Sequence, residues 1–402
     1  MKKKKKEKKI LYQLIFSAFL LFSNAYLVKA NSDILSQDST GKYCINTEQD
    51  YYNFIENIQN YNNKTVILCN DIDISDVPEA TSSFGGILNG KGHTITYASK
   101  EAKENIAVFP FRINDNGIVE NINVQIDESY AYNSETDEFQ TVFSQCDGIA
   151  KGITIKGNVT CIYDDEDENV SIGAIEGNGT LMDSSIAITY DLQSEKTIEE
   201  IAEDIVENDL EFEFCQLGTT YTGITYQNCI GYGQYSEAIK SLADELEPKI
   251  EDDTWGYLCV SFTRKSFSST SASATNCYYD KENMPDIKIR SEYIANRDNN
   301  KEFPNYADFG KTTSEMKNQG TYEGFDFNKK WTISPEDNNG YPYYNLQTEE
   351  ITLKVQASTE PKVWSTSVPR DYNRFVDYAK NYHFPYQVDI IDGEKKNIYD
   401  DG

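Results

Sequence analysis

Acidic residues dominate the side chains that could do chemistry in this chain. The sequence contains 66 Asp and Glu against 37 Lys and Arg. The densest run is Asp164–Glu168, and clustered carboxylates are the oxygen ligands that Ca²⁺ prefers. The run lacks the alternating Asp and Gly of a constrained calcium loop, so a solvated charged loop is the favoured interpretation. We therefore predict no metal site, name calcium as the one cofactor that this composition would suit, and assign no catalytic residue.

Histidine and glycine motifs indicate no enzyme class. The chain has two histidines, His93 and His383, and contains neither HExxH nor GxSxG. The ligands of a zinc peptidase and the nucleophile turn of a serine hydrolase are therefore missing. Gly90-Lys91-Gly92 lacks the rest of a phosphate-binding loop and the helix that should follow it. A glycosidase needs only two carboxylates, so this class stays open.

The cysteines leave two interpretations open. An even number in an exported chain permits disulfides, here as bridges between successive turns of a repeating fold. Alternatively, they are small buried thiols that face a β core. No CxxC occurs and histidines are scarce, which argues against zinc. The eight residues are Cys44, Cys69, Cys146, Cys161, Cys215, Cys229, Cys259 and Cys277.

The first thirty residues have the three-part layout of a secretory signal peptide. Lysines at 2–6, 8 and 9 precede the apolar run Ile10–Val28, and Val28-Lys29-Ala30 places small residues at the −3 and −1 positions of a cleavage site. An uncleaved anchor is the alternative, since such a run could just span a bilayer. We predict a secreted or cell-surface protein that contacts membrane only through this segment, if at all.

The charge of the remaining chain limits its partners. Residues 1–30 carry eight lysines and one glutamate, so their removal would change the net charge from −29 to −36. Such a field favours solubility and repels nucleic acid and anionic lipid. We therefore expect no nucleic-acid partner.

A sequence motif recurs with a fixed period in the middle of the chain. Gly117–Val124 aligns with Gly148–Ile155 at a spacing of 31 residues, and more loosely with Gly179–Ile186 after another 31. Weaker copies begin at Gly223 and Ala274. Short strands at a fixed period, none of which can bury its apolar side alone, indicate a stacked solenoid. A β-sandwich is the alternative, because it also contains short alternating strands.

Helices and a C-terminal extension complete the predicted architecture. A helix over 47–60 starts at a capping signature and is expected to cap one end of the solenoid. Amphipathic helices over 197–208 and 236–246 are predicted as insertions between repeats. We predict an all-β fold, a right-handed parallel β-helix over residues 31–347. Residues 348–402 form an extension or cap, with a strand at Ile351–Val355 and a helix at Arg370–Asn381.

Several segments resemble a known family. The strings NDIDIS (70–75), FGGILNGKGHTIT (84–96) and GIVENINV (117–124), with TTSEMKNQGTYEGFDFNKKWTI (312–333) and NNGYPYYNL (338–346), resemble the pectin-lyase-like β-helices of bacterial surface proteins with GLUG-type repeats. The resemblance covers about residues 42–347, although the GLUG letters are not intact. It implies a cell-surface or secreted protein, often adhesive. Lyases of this fold need calcium-binding carboxylates and a basic residue, but no arginine stands in such a motif: Arg112, Arg264, Arg290, Arg297, Arg370, Arg374.

The predicted function is an extracellular binding scaffold. A solenoid offers a long, rigid face suited to extended ligands such as glycans and host or cell-surface polymers, so we expect an adhesive or glycan-binding protein without catalytic residues. A secreted polysaccharide lyase or glycoside hydrolase is the alternative, and a self-associating surface-layer component is a third interpretation. No binding residue is assigned. Tyrosines that could stack on sugar rings are Tyr51, Tyr52, Tyr130, Tyr132, Tyr278 and Tyr279.

Overall fold

The computed structural model describes residues 35–75, 80, 82–98, 107–131, 139–163, 169–218, 223–264, 272–298, 303 and 305–345, and the strands within 350–397. The predicted signal segment 1–30, the acidic run Asp164–Glu168 and the helix predicted at Arg370–Asn381 lie outside these residues.

Strands account for most of the regular structure. The first twelve are β1 Tyr43–Ile45, β2 Thr65–Leu68, β3 Ile72–Ile74, β4 Ile87–Asn89, β5 Thr94–Ala98, β6 Phe109–Ile113, β7 Ile118–Ala131, β8 Phe139–Cys146, β9 Ile149–Ile162, β10 Val170–Ile175, β11 Thr180–Met182 and β12 Ser185–Gln193. The next eleven are β13 Glu211–Cys215, β14 Thr225–Gln227, β15 Ile230–Gly231, β16 Gln234–Tyr235, β17 Tyr257–Ser261, β18 Ala274–Thr275, β19 Tyr278–Asp280, β20 Ile287–Ile289, β21 Gly310–Lys311, β22 Trp331–Thr332 and β23 Tyr343–Tyr344. The last four are β24 Glu350–Gln356, β25 Pro361–Ser367, β26 Gln387–Asp392 and β27 Glu394–Asn397.

The helices are few and short. They are α1 Glu48–Glu56, α2 Ile198–Glu207, α3 Glu237–Leu246, α4 Glu292–Asp298 and α5 Thr313–Met316. Single 3₁₀ turns lie at Ile58–Tyr61, Glu247–Lys249, Tyr306–Asp308, Gln319–Thr321 and Asn338–Gly340. Of the four helices that the sequence predicted, the three that lie within the described residues correspond to α1, α2 and α3. Each begins at a residue whose hydroxyl accepts a backbone N–H: Thr47, Thr197 and Ser236.

The strands form two large sheets. In the larger sheet the strands are parallel in the order β1-β2-β4-β7-β9-β12-β15-β19-β21, and β3, β5, β11, β14, β16 and β18 pair beside this path. In the smaller sheet β6, β8, β10, β13 and β17 are parallel, and β20 pairs antiparallel with β17 at the end. Strands β25-β24-β26-β27 form an antiparallel sheet, whose strand β24 contains the predicted strand Ile351–Val355.

The register of the larger sheet follows the sequence repeat. Ile118 of β7 pairs with Ile149 of β9, which pairs with Thr180 of β11, so each step is 31 residues. From β5 to β13 the chain passes back and forth between the larger and the smaller sheet. The predicted period is therefore the distance along the chain between neighbouring strands of one sheet. The structure is mostly parallel sheet, in contrast to the antiparallel sheets of the sandwich alternative.

Left-handed residues occupy one corner of successive repeats. Asn121, Gly152, Asp183, Asn228 and Asn276 all have φ between 50° and 61°, a region that Gly, Asn and Asp tolerate best. The Asn228 amide donates to Asp183 Oδ1 at 2.9 Å, and the Asn276 amide donates to Asn228 Oδ1 at 3.3 Å. Asp183, Asn228 and Asn276 are thus joined by side-chain hydrogen bonds that align one repeat on the next. We call these three residues the corner column.

One apolar core joins the two sheets. Side chains of the larger sheet contribute a row that repeats once per strand: Leu88, Val119, Ala150, Leu181 and Tyr226. Side chains of the smaller sheet contribute two shorter rows to the same core: Phe109, Phe143 and Ile175, and Val170, Phe212 and Leu258. All of them are buried, and burial of each large apolar side chain contributes roughly 1.5–3 kcal/mol. The repeat thus exists because its strands bury these rows together.

Candidate functional site

The residues that the sequence marked for chemistry do not form a site. His93 Nδ1 lies 3.0 Å from Asp71 Oδ1 at a turn. Tyr51, Tyr278 and Tyr279 are buried, so they cannot stack on a ligand. Tyr52 is half-buried. Tyr132, the Tyr130 side chain, His383 and Asp164–Glu168 lie outside the described part of the chain.

A different pair of aromatic residues faces solvent. Trp255 is 44 % exposed and Tyr293 is 49 % exposed, and no other large apolar side chain of the described residues is classed as exposed. Their ring centroids are 4.6 Å apart and their planes meet at 54°. Two contacting rings left in water form an apolar patch with a large buriable area. We call this pair the aromatic platform.

The loop before β17 holds Trp255 in place. Thr254 Oγ1 accepts a hydrogen bond from the Glu251 amide at 2.9 Å, and the Thr254 amide donates to the Glu251 carbonyl at 3.2 Å. Gly256 follows Trp255, and a Cβ there would lie 1.9 Å from the Ile205 carbonyl oxygen of α2. The glycine therefore lets the loop lie directly against α2. These contacts fix the backbone on both sides of Trp255.

Helix α4 holds Tyr293 against the same loop. Ser291 Oγ donates to the Thr254 carbonyl at 2.6 Å and accepts from the Ile294 amide at 3.4 Å. One buried serine thus caps the helix and ties it to the residue that precedes Trp255. These bonds hold the backbone segments that carry the two rings next to each other, which lowers the conformational entropy that binding would cost.

The two residues of the aromatic platform have acidic neighbours in the sequence. Glu251, Asp252 and Asp253 come just before Trp255, and Glu292 precedes Tyr293; all four are exposed. The nearby Lys249 is already paired with Glu203 at 3.2 Å. The platform therefore lies in an acidic setting, with acceptors suited to hydroxyl or ammonium donors.

A polar network lies beneath α4 on the outer face of the smaller sheet. Glu213 and Arg264 form an ion pair, and their side chains are 1 % and 4 % exposed. The Tyr257 hydroxyl donates towards Glu213 Oε1 at 2.7 Å and lies 3.1 Å from Glu211 Oε2. Burial, followed by the charge of Glu213, raises the pKa of Tyr257 well above its usual range. Tyr257 therefore keeps its proton and serves as a donor.

This network contains the side-chain types of an acid–base catalytic site, but a substrate could not reach them. Two carboxylates beside a tyrosine and an arginine could protonate a leaving group and stabilise charge. However, Glu213 is compensated by Arg264 and Tyr257, and solvent scarcely reaches it. Within the described residues, no group of three His, Cys, Asp or Glu side chains is placed to hold a metal ion. The arrangement fits a role in holding β13 and β17 together.

Part of the outer face of the larger sheet is closed. Residues 313–345, which we call the strap, place their apolar side chains in one cluster with Ile230 and Tyr278 of the sheet: Met316, Tyr322, Phe325, Trp331 and Tyr341. The buried Asp280 carboxylate binds the strap by accepting from Thr313 Oγ1 at 2.7 Å and from the Tyr341 hydroxyl at 2.5 Å. No ligand can reach these rings while the strap is in place.

The strap also binds polar side chains of the larger sheet. Lys330 Nζ donates to Asp183 Oδ2 at 2.8 Å, and this bond raises the pKa of Lys330. Lys156 Nζ donates to Asn338 Oδ1 at 2.6 Å, and burial lowers the pKa of Lys156. Beyond the strap, β7 and β9 present exposed polar residues such as Gln125 and Asn158. This open part of the sheet is a second surface that an extended ligand could contact.

Comparison with known proteins leaves the chain without an assigned family. No family, curated protein or solved structure matches it. Across the described residues, no helix is long and apolar enough to cross a membrane.

Sequence reasoning missed both residues of the platform. Trp255 and Tyr293 are 38 positions apart and belong to no motif, so only the packing of α4 on β17 brings them together. The one available signal was a tryptophan followed by glycine within a run of acidic residues, Glu251–Gly256.

Proposed function

We propose that this protein is an extracellular glycan-binding scaffold and that Trp255 and Tyr293 contact the sugar. The observation that carries the proposal is the pair of exposed rings in contact with each other. Sugar rings have apolar faces that stack on aromatic side chains, while their hydroxyls donate to carboxylates. Both kinds of group occur at the platform, so its chemistry suits a carbohydrate chain.

The scaffold in this proposal is a right-handed parallel β-helix. The 31-residue step between paired strands supports it, as do the alternation of the chain between two parallel sheets and the column of left-handed corners. A stacked fold of this kind is stiff and presents its side chains at regular steps. The platform would then be a fixed point on a rigid body, as adhesion requires.

Export is part of the same proposal. The Lys-rich start and the apolar run Ile10–Val28 support a signal peptide. The disulfide between Cys44 and Cys69 supports an oxidising location, because such bonds persist mainly outside the reducing cytosol. A secreted or cell-surface location would give the platform access to extended polymers.

Charge favours neutral or amino-sugar polymers over anionic ones. The net charge is −29, and the exposed residues beside the platform include Glu251, Asp252, Asp253 and Glu292. A uronate polymer would meet like charges there and lose affinity, most strongly at low salt. Hydroxyls and ammonium groups, in contrast, would donate to these carboxylates.

The first prediction tests the platform directly. The purified chain is titrated with neutral, amino-sugar and anionic polysaccharides, with binding followed by calorimetry. We expect Trp255→Ala to weaken the best ligand by on the order of 2 kcal/mol, roughly 30-fold, as for a central aromatic contact. Trp255→Phe keeps a ring and should lose less. Tyr293→Ala should weaken the same ligand.

A matched control separates the platform from the sheet surface. Gln125→Ala removes an exposed side chain from the open part of the larger sheet and should leave affinity unchanged. A ligand that loses affinity with Gln125→Ala but not with Trp255→Ala would place the site on the sheet. Absence of binding to every polysaccharide would contradict glycan binding.

A polysaccharide lyase or hydrolase is the second candidate, and one observation favours it. Glu211, Glu213 and Tyr257 lie beside Arg264, as an acid–base centre would require. Anionic polysaccharides, with calcium or with a chelator, are incubated with the chain while ultraviolet absorbance reports unsaturated uronates. Product released by the wild-type chain, and lost in a Glu213→Gln variant whose melting curve shows that it is still folded, would establish the enzyme. If reducing ends, measured in parallel, also fail to appear, both enzyme classes are excluded for the substrates tested.

A further inference from the structure

We propose that Cys229 and Cys277 are joined by a disulfide when the chain folds under oxidising conditions. Each cysteine directly follows a left-handed asparagine of the corner column, Asn228 or Asn276. The residues on either side are paired: Gln227 with Thr275, and Ile230 with Tyr278. The two thiols therefore occupy the same position in successive repeats.

The geometry of this position suits a disulfide. The Tyr278 amide donates to the Cys229 carbonyl at 2.9 Å, so the two backbones are direct neighbours. Neighbouring strands lie about 4.8 Å apart, and the Cα atoms of bridged cysteines usually lie about 4.4–6.8 Å apart. In the reduced state Cys229 Sγ donates to the Leu181 and Gln227 carbonyls, and Cys277 Sγ donates to the Thr275 carbonyl, each at 3.5 Å. Both side chains are buried in the core between the sheets.

The other free thiols are placed less favourably. Cys215 Sγ lies 3.4 Å from Ser261 Oγ, and Ser261 is its partner in the neighbouring strand. Cys259 pairs with Glu213 instead. Cys146 and Cys161 belong to different sheets. Within the described residues, Cys229 and Cys277 are thus the two thiols that lie opposite each other. They do so because the residues on either side of them are directly paired.

A small-molecule disulfide can serve as the oxidant that forms the bond between Cys229 and Cys277. The thiolate of one cysteine attacks the donor disulfide, forming a mixed disulfide and releasing one donor thiolate. The second cysteine thiolate then attacks the protein sulfur of the mixed disulfide and releases the other donor thiolate. The protein loses two electrons and two protons, and the donor is reduced to two thiols. Burial raises the pKa of Cys229 and hinders access in the folded state, so the bond forms during folding.

The bridge would close a long loop. Residues 230–276 contain α3, the loop with Trp255 and strand β17, and they are the largest interruption of the repeat. Closing such a loop restricts the unfolded chain, which raises the relative stability of the folded one. The bridge would therefore stabilise the part of the chain from which the aromatic platform projects.

The experiment compares the full chain refolded in oxidised and in reduced glutathione. After unfolding without reductant and alkylation, peptides are mapped by mass spectrometry. We expect the oxidised sample to contain a Cys229–Cys277 linked peptide and four alkylated cysteines, and to melt several degrees higher than the reduced sample.

Variants and controls identify the source of the shift. The double variant Cys229→Ser, Cys277→Ser should lose the linked peptide. It should also lose the part of the increase in melting temperature that the Cys229–Cys277 bond contributes. Cys215→Ser, Cys259→Ser should keep both. Full alkylation of Cys229 and Cys277 in the oxidised wild-type chain, or their linkage to other cysteines, would overturn the proposal whether or not the variants fold. None of these readouts depends on glycan binding.

Discussion

At the scale of single residues, the Glu213–Arg264 pair makes the strongest prediction. Both side chains are buried, so removing one leaves the other charge without compensation. Arg264→Ala should lower the free energy of unfolding by about 3–5 kcal/mol, measured by urea denaturation. Lys240→Ala, which removes an exposed pair with Glu237, should cost less than about 1 kcal/mol. Equal losses in the two variants would contradict a structural role for the buried pair.

Glu176 predicts a dependence of stability on pH. Burial, and secondarily the charge of Asp147, raises the pKa of Glu176 above its ordinary value of 4.5. The folded state then binds the proton more tightly than the unfolded state, so the ionised carboxylate destabilises the fold above the raised pKa. Below pH 4.5 both states are protonated and this penalty disappears.

Replacing Glu176 by Gln tests this sign. Glu176→Gln should raise the melting temperature at pH 7, by on the order of a degree or two, and should have little effect near pH 4. Scanning calorimetry at both pH values measures the difference. Glu237→Gln, at an exposed position, serves as the control. A larger increase in melting temperature at pH 4 than at pH 7 would contradict the predicted direction of the pH dependence.

The aromatic platform shows why residue-scale prediction from sequence fell short. Tyr51, Tyr278 and Tyr279 were named as rings that could stack on sugars but were not assigned to a site, because the same rings are also good core residues. Each is buried. Whether a ring faces water depends on what packs over it, and that is decided by contacts between distant segments. Trp255 is exposed although its neighbour Thr254 is buried, a difference that no local pattern shows.

At the scale of elements, the corner column can be tested at Asn228. Its φ is 52°, and alanine in this region costs roughly 1–2 kcal/mol, to which lost bonds to Asp183 and Asn276 would add. Asn228→Ala should therefore destabilise the chain in urea denaturation more than Asn228→Gly, which relieves the backbone penalty. Asn158→Ala, at an exposed strand position, should change stability little. If Gly were no better than Ala, the left-handed backbone would not be the cause.

Elements with strong local signals were predicted well. The helix expected over 197–208 is α2, Ile198–Glu207, and it begins with a capping box between Thr197 and Glu200. The 31-residue repeat correctly anticipated which segments pair. Short elements such as α4 and β20 went unpredicted because seven and three residues carry too little periodicity. Yet α4 is the element that completes the aromatic platform.

At the scale of the whole molecule, the strap decides which surfaces are open. The sequence marked 312–333 and 338–346 only through a family resemblance, and the structure places 313–345 along the outer face of the larger sheet. Composition could not show which face it covers, because that depends on contacts of strap rings with Tyr232 and Tyr278, which lie far earlier in the chain. Aromatic content that suggested ligand binding is thereby used for internal packing.

The reversed direction of β20 also limits how copies of the protein can join. A last strand that ran parallel would be a template on which an identical repeat could continue. β20 instead pairs antiparallel with β17 and is three residues long. A further parallel repeat therefore cannot be added to the smaller sheet in the same register at this edge. A fibre formed by this edge is therefore disfavoured. Each molecule would then contribute one aromatic platform from its described residues, and multivalent attachment to a polymer would depend on how many molecules the cell displays.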